Sequence, residues 1–196
     1  DDADLESATN AQIAGIFAAT GQSCVAGSRL VVQRSIKVEM LRRLSEKAQA
    51  IRVGTPGAME TEVGPLCTSR QRDRIARIVS ASVTAGARLV SGGHAPEGQG
   101  FYFAPTILDC TDTPSAPCVT EELFGPVLSV VSFDTEEQAP EIANSTPYGL
   151  ASGVFTRNLT RAHRMVRGIR GAIVWVNTDR AVSPIAPFCG YGLSGH

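Results

Sequence analysis

The sequence predicts an α/β fold in which helices flank a layered sheet. Short runs rich in β-branched residues occur at 29–33, 127–133, 152–155 and 172–177, and stretches with helical apolar spacing lie between them. Alternation of strands and helices along one chain is typical of layered α/β domains. The 196 residues suffice for one large domain, and a hydrophobic content of 43% is ordinary for a globular core.

The helices are predicted in chain order from the spacing of their apolar residues. The chain opens with a helix-forming stretch that precedes the run 29–33. Two further helical faces have apolar residues three or four positions apart: Leu41, Leu44, Ala48 and Ile51, then Ile75, Ile78, Val79 and Val83. The glycine-rich stretch 91–100 predicts a surface loop. Thr135 and Gln138 form a capping-box pattern, which predicts a helix that runs toward Ala143.

A last predicted helix carries a basic stripe. Its arginines recur every three or four residues: Arg157, Arg161, Arg164, Arg167 and Arg170. Such a stripe suits either a phosphate-binding surface or a solvated face, and we favour the solvated face because 18 basic and 19 acidic side chains nearly balance. With a net charge of −1 and no apolar run of ~20 residues, we expect neither nucleic acid nor a membrane as a partner.

The cysteines are scattered and odd in number: Cys24, Cys67, Cys110, Cys118 and Cys189. No two of them form a CxxC pair, and a zinc site needs ligands that are close in the chain. A domain of this size does not depend on disulfides for its stability. We therefore expect no metal ion and a location in the reducing cytoplasm.

Cys24 lies in FAATGQSCVAGSRL (17–30), among small and polar residues. Small neighbours allow a substrate carbonyl and backbone N–H groups to approach the sulfur, as covalent catalysis requires. A free cysteine after a helix is also commonly a small buried side chain. From this window alone, the nucleophile and the packed thiol both remain open.

Four motifs occur in order along the chain: GQSCVAGSRL (21–30), EVGPL (62–66), EELFGPVLSV (121–130) and VWVNTDRAVSPIAPFCGYGLSG (174–195). Together they resemble the signatures of the aldehyde dehydrogenase superfamily over essentially the whole chain. The resemblance identifies Cys24 as the nucleophile. It implies that residues 1–196 are the α/β catalytic domain of such an enzyme, without its Rossmann-type dinucleotide-binding domain and its C-terminal tail.

The resemblance implies oxidation of a small-molecule aldehyde to a carboxylic acid with NAD or NADP, through a cysteine thiohemiacetal and a thioester. In the family, the glutamate that activates water and the asparagine of the oxyanion hole precede the region that this chain covers. We therefore expect the isolated chain to be inactive. The resemblance also implies that the full-length protein is a homodimer or homotetramer. Two alternatives are a relative that transfers the acyl group to coenzyme A and an inactive binding or scaffold homologue.

The same resemblance assigns cofactor residues. Glu122 matches the glutamate that accepts hydrogen bonds from the nicotinamide ribose. A carboxylate suits this role because it offers two acceptors to a vicinal diol. Phe124 matches the aromatic residue near the nicotinamide ring. Gln71 matches a position that touches the cofactor in some members. Glu121, next to this set, is interpreted as a solvated acid.

Two residues of the closing motif are assigned to the substrate. Phe188 matches an aromatic wall of the substrate tunnel. Arg180 falls in the loop at the aldehyde entrance, where a guanidinium could bind a carboxylate with two hydrogen bonds. The sequence departs from the family pattern at the Ala18–Ala19 region, where an asparagine is common, and at Cys189, where a glycine is usual.

Overall fold

The computed structural model describes residues 2–195, which contain six α-helices and eight β-strands. The helices are α1 (Leu5–Phe17), α2 (Lys37–Ala50), α3 (Ser69–Thr84), α4 (Pro117–Thr120), α5 (Gln138–Ala143) and α6 (Leu159–Gly168). The strands are β1 (Arg29–Gln33), β2 (Arg88–Ser91), β3 (Thr106–Asp109), β4 (Val127–Phe133), β5 (Tyr148–Gly149), β6 (Ala151–Val154), β7 (Ile173–Val176) and β8 (Tyr191–Gly192). No helix in the described part is long and apolar enough to cross a membrane.

The main sheet has four strands in the order β1-β4-β3-β2. Strands β1, β4 and β3 are parallel, whereas β2 pairs with β3 in the antiparallel direction. Strand β4 lies inside the sheet, and its sequence VLSVVSF is buried at every position but the last, as expected for a strand covered on both faces. Two small sheets, β5-β8 and β6-β7, lie apart from it. The predicted α/β class is confirmed.

Each face of the main sheet is covered by a helical layer. Successive side chains of a strand point to opposite faces, so β4 contributes to two cores. Leu128 and Val130 pack with buried residues of α1 and α2, whereas Val127 and Val131 pack with buried residues of α3 and α4. The sheet is therefore a central layer between two helical layers, and the loops at its edges are placed by both.

The predicted elements agree with the structure in different degrees. The bounds of β1 and β4 are those predicted, and β6 and β7 differ by about one residue at each end. The sequence analysis does not identify β2 (RLVS) or β3 (TILD), in which only the two central residues are apolar. The capping box is wrong, because α5 begins at Gln138 and has no side-chain cap. Only half of the box forms: Gln138 Oε1 accepts from the backbone N–H groups of Asp134 (2.8 Å) and Thr135 (3.4 Å).

The predicted basic stripe forms ion pairs. Arg161 and Arg164 of α6 contact the Glu136 carboxylate at 2.9 and 2.7 Å, and Arg157, just before the helix, contacts Asp4 at 3.1 Å. These carboxylates neutralise much of the stripe within the chain itself. The contacts agree with the solvated face and not with a phosphate-binding surface.

Asp109, at the end of β3, joins α2 to the sheet. Its Oδ2 contacts Lys37 Nζ of α2 and Arg88 Nη2 of β2, both at 3.1 Å, and its Oδ1 accepts from Thr111 N–H (3.1 Å) and Oγ1–H (2.7 Å). The Asp109 side chain is only 8% exposed. Burial opposes its ionisation, but the hydrogen bonds from Thr111, Lys37 and Arg88 outweigh burial and lower the pKa of Asp109 from 3.8 to about 2.

We expect Asp109→Asn to lower the free energy of unfolding at pH 7 by about 2 kcal/mol, at 1.36 kcal/mol for each pKa unit lost. Folding lowers this pKa, so the stabilisation is complete above about pH 5 and disappears as the pH falls towards 2. Urea denaturation at pH 7, 4 and 3 measures the difference from wild type. Asp112→Asn, at an exposed neighbouring carboxylate, is the control. A difference that stays constant between pH 7 and 3 would contradict this account.

Candidate active site

Cys24 lies at the second position of a turn that runs from Ser23 to Ala26, and its side chain is exposed. The turn is closed by the Ala26 N–H, which donates to Ser23 O at 3.1 Å. Behind it, the Gly27 N–H donates to Gly15 O of α1 at 3.1 Å. Helix α1 and the turn thus present the thiol at the surface, and Cys24 is not a packed core residue.

The chain between α1 and the turn is left-handed at three consecutive residues. Ala19, Thr20 and Gly21 have φ angles of 52°, 57° and 68°. Asparagine tolerates this conformation better than alanine does, so Ala19, in the region where the family has asparagine, costs about 1 kcal/mol. Thr20 Oγ1 donates to Gly64 O at 3.1 Å and helps to hold the segment. Such strain is common at functional sites.

Gly21 lies directly against the backbone of the motif at 121–126. A Cβ at Gly21 would clash with the carbonyl oxygen of Gly125, and the positive φ of Gly21 also favours glycine. This position therefore requires a residue without a side chain. The backbone contact brings the segment that carries Cys24 against the motif that carries Glu122 and Phe124.

The sheet explains why these two segments meet. The Cys24 turn immediately precedes β1, and the motif 121–126 immediately precedes β4. Strands β1 and β4 are adjacent and parallel, with Arg29 opposite Ser129. Both segments therefore lie at the amino-terminal edge of the same sheet.

Cys24, Glu122 and Phe124 line one cavity of about 530 Å³, which is within the usual size range of small-molecule sites. Within residues 2–195, the Glu122 carboxylate is exposed and makes no hydrogen bond or ion pair. The Phe124 side chain is 39% exposed, and its backbone φ is 55°. A free carboxylate and an accessible aromatic ring thus share a cavity with an accessible thiol.

Gln71, in the first turn of α3, lies beside this motif, and its predicted contact with the cofactor stays a prediction. Its side-chain amide donates to Leu123 O at 2.6 Å and to Phe124 O at 3.0 Å. Thr68 caps the helix by accepting from the Gln71 backbone N–H at 3.2 Å. Both amide N–H groups of Gln71 are therefore directed at the protein backbone.

The two substrate candidates lie outside the described lining of this cavity. Arg180 donates from Nη1 to Ala14 O of α1 at 3.2 Å, and the Phe188 side chain is 50% exposed. Their substrate roles stay predictions. Asp179 does line the cavity, and its Oδ2 would lie 2.8 Å from a Cβ at Gly15. Burial raises the pKa of Asp179 above its usual value of 3.8.

The loop after β7 that carries Asp179 is fixed at both ends. The Asn177 amide exchanges two hydrogen bonds with the Thr156 backbone, both at 2.9 Å, which agrees with a supporting role. Trp175 Nε1 donates to Ala181 O at 2.7 Å. Further along, Cys189 is exposed and does not have a positive φ, so its backbone does not require the glycine that is usual there.

The remaining thiols differ in their exposure. Cys67 and Cys189 are exposed, whereas Cys110 and Cys118 are buried with their sulfur atoms 3.4 Å apart. The hydrogen-bonding contact with Cys118, together with burial, raises the pKa of Cys110, so this thiol is not a candidate nucleophile. Among residues 2–195, no three histidine, cysteine or acidic side chains are grouped to hold a metal ion.

Comparison with known proteins decides the family. The family model described as "Aldehyde dehydrogenase family" matches residues 1–196. The chain belongs to the aldehyde dehydrogenase family. The resemblance to the aldehyde dehydrogenases is thereby confirmed.

The relatives of this aldehyde dehydrogenase chain are longer than the chain. It is 63% identical to a (Z)-2-((N-methylformamido)methylene)-5-hydroxybutyrolactone dehydrogenase from Acinetobacter baylyi and 45% identical to a betaine aldehyde dehydrogenase from Cereibacter sphaeroides. In each case the whole chain aligns with 40% of the relative. PnpE from Pseudomonas sp. WBC-3, also solved in complex with nicotinamide adenine dinucleotide, superposes with a TM-score of 0.96 at 40% identity, over 100% of this chain and 41% of PnpE.

Sequence reasoning overlooked two residues of this site. Arg74 carries no motif signal, because its contacts with the motif are with residues 47 to 49 positions away. Asp179 stands next to Arg180, and the sequence cannot tell which of two adjacent loop side chains points into a cavity.

In the full-length aldehyde dehydrogenase, we expect limiting iodoacetamide to label Cys24 before the other cysteines, because its thiol is exposed at a turn whose Ser23, Cys24 and Val25 N–H groups have no hydrogen-bond acceptor within residues 2–195. Peptide mass mapping at partial modification gives the order of labelling. A Cys67→Ser, Cys189→Ser double variant is the control, since it removes both other exposed thiols and should keep the same inactivation rate. Loss of activity that follows the labelling of Cys67 or Cys189 would contradict the assignment.

Proposed function

We propose that this chain is the cysteine-bearing catalytic domain of an enzyme that oxidises an aldehyde to a carboxylic acid with NAD or NADP. The observation that carries the proposal is the shared cavity of the Cys24 thiol, the Glu122 carboxylate and the Phe124 ring. The names of the similar dehydrogenases support the same reaction class. Because those relatives are longer, we propose that dinucleotide-binding and tail segments complete the protein.

Cys24 supplies the nucleophile of the proposed reaction. Its thiolate attacks the aldehyde carbonyl carbon and forms a thiohemiacetal, whose oxygen carries the developing negative charge. Within the described residues, the backbone N–H groups of Ser23, Cys24 and Val25 make no hydrogen bond, so they are free to donate to that oxygen. Oxidation leaves an acyl thioester on Cys24, and water releases the carboxylic acid. We propose that the base for this water lies outside the present chain.

Glu122 and Phe124 fit a nicotinamide cofactor. NAD or NADP, when bound, accepts the hydride that leaves the substrate carbon. The unpaired Glu122 carboxylate offers two acceptor oxygens for ribose hydroxyls, and the accessible Phe124 ring offers an apolar face. PnpE, whose structure superposes on this chain, has been solved with nicotinamide adenine dinucleotide.

We further propose a homo-oligomer in a reducing, cytoplasmic location. Large apolar side chains are exposed near the end of the chain, with Val182 62%, Ile185 93% and Leu193 73% exposed, and such surface is commonly covered in an assembly. All five cysteines are free thiols, which suits a reducing compartment.

We expect Glu122→Gln in the full-length protein to weaken cofactor binding by about tenfold or more, since a hydrogen bond to a charged acceptor contributes about 1.5–3 kcal/mol. The free energy of unfolding should not change, because the carboxylate is exposed and has no partner among residues 2–195. Equilibrium titration with NAD and single-turnover hydride transfer give the two readouts. Glu97→Gln, at an exposed acid that does not line the cavity, is the matched control. An unchanged affinity with an unchanged hydride rate would remove Glu122 from the site.

Arg180 and Asp179 predict opposite preferences for a substrate that carries a carboxylate. If Arg180 binds the substrate, the enzyme should prefer semialdehydes, because a guanidinium pairs with a carboxylate. We propose instead that Asp179 disfavours such substrates, since its carboxylate lines the cavity whereas Arg180 contacts α1.

We expect Asp179→Asn to raise kcat/KM for a semialdehyde by about fivefold relative to an alkyl aldehyde of equal length, because removing ~1 kcal/mol of charge repulsion has that effect. Arg180→Leu should change both substrates equally. Matched kinetic series on the two variants and wild type measure the ratio. A selective loss of semialdehyde activity in Arg180→Leu would instead assign the carboxylate to Arg180.

A further inference from the structure

Two side chains of α3 donate hydrogen bonds to consecutive carbonyls of the motif 121–126. Gln71 Nε2 donates to Leu123 O (2.6 Å) and Phe124 O (3.0 Å). Arg74, one turn later, donates from Nη1 to Glu122 O (3.0 Å) and Leu123 O (3.2 Å). Every carbonyl from Glu122 to Phe124 is therefore held by one helix.

These hydrogen bonds hold a backbone that an isolated chain would not favour. Phe124 has a φ of 55°, in the left-handed region, where a bulky residue is an outlier. Three successive carbonyls directed at one helix surface also need donors on that surface. Gln71 and Arg74 supply them, so the strained backbone persists because its surroundings fix it.

Arg74 also decides which acid of the pair remains free. Its Nη2 contacts the Glu121 carboxylate at 3.1 Å, whereas its contact with Glu122 is from Nη1 to the backbone carbonyl and not to the carboxylate. The Glu122 carboxylate is consequently left without a partner in the described part of the chain. The same arginine therefore holds the backbone carbonyl of Glu122 and forms its ion pair with Glu121.

We propose that Gln71 and Arg74 are positioning residues, which set the affinity for the nicotinamide half of the cofactor by holding Glu122 and Phe124. This inference rests on the proposed function, in which Glu122 and Phe124 bind that half. It differs from the role that the sequence resemblance gives Gln71, because here Gln71 acts through the motif backbone and not by touching the cofactor.

The test uses Gln71→Ala and Arg74→Ala in the full-length protein. The dissociation constant for NAD should rise about fivefold or more in each variant, because the carbonyls lose their donors and Phe124 relaxes. The dissociation constant for AMP, which represents only the adenylate half, should stay within twofold of wild type. Arg77→Ala is the matched control, since Arg77 lies one turn further along α3 and, among residues 2–195, donates only to Asp73 O at 3.4 Å.

Two readouts separate positioning from general structural support. The KM for the aldehyde and the rate of Cys24 alkylation without cofactor should not change, because neither depends on the carbonyls of the motif. Arg74→Lys retains a cationic donor and should recover part of the NAD affinity lost in Arg74→Ala. This variant also serves as the second probe if Gln71→Ala does not fold.

Each outcome decides the question. If the alanine variants weaken the binding of NAD and AMP equally, the positioning role is overturned. It is also overturned if their NAD affinities stay within twofold of wild type while Glu122→Gln weakens NAD binding. Both results leave the proposed function intact. If Glu122→Gln itself leaves NAD affinity unchanged, the cofactor assignment of the motif fails instead. Selective loss of NAD affinity in both alanine variants, with partial recovery in Arg74→Lys, supports the inference.

Discussion

The backbone of Gly21 packs on the backbone of Gly125, and the candidate site depends on this contact. A Cβ at Gly21 would clash with the Gly125 carbonyl oxygen, so the two segments can meet this closely only while residue 21 lacks a side chain. One segment continues into the Cys24 turn, and the other contains Glu122 and Phe124. The contact therefore brings the segment of the Cys24 thiol against the segment of Glu122 and Phe124.

Both segments at this contact contain left-handed residues, and both are held from outside. Ala19 and Thr20 precede Gly21, and the Thr20 hydroxyl is bound to Gly64 O. In the opposite segment, Phe124 is held through its carbonyl by Gln71. Positive φ angles in residues other than glycine cost free energy, so the conformations of these two segments lower the stability of the fold and persist because contacts hold them. A site built in this way is preorganised before a ligand arrives.

The loop after β7 adds a third wall on the side of α1. Asn177 and Arg180 have positive φ angles of 53° and 57°, and Asp179 lies between them. The resulting path directs the Arg180 guanidinium to the Ala14 carbonyl, while the Asp179 carboxylate lies over Gly15. Gly15 has no side chain, so the loop can approach α1 closely. The charge that this loop presents to the cavity is thus set by backbone geometry as well as by residue type.

The sequence by itself determined the α/β class, the bounds of β1 and β4, the family and the grouping of Cys24 with Glu122. These features follow from hydrophobic patterns and local motifs, which are written in neighbouring residues. Only the tertiary structure decided that Gln71 donates to the motif backbone, that Arg74 belongs beside it, and that Asp179 rather than Arg180 lines the cavity. Those facts depend on side-chain directions and on contacts between residues about fifty or more positions apart. The spacing of neighbouring residues in the sequence does not predict such contacts, because they form only when the whole chain packs.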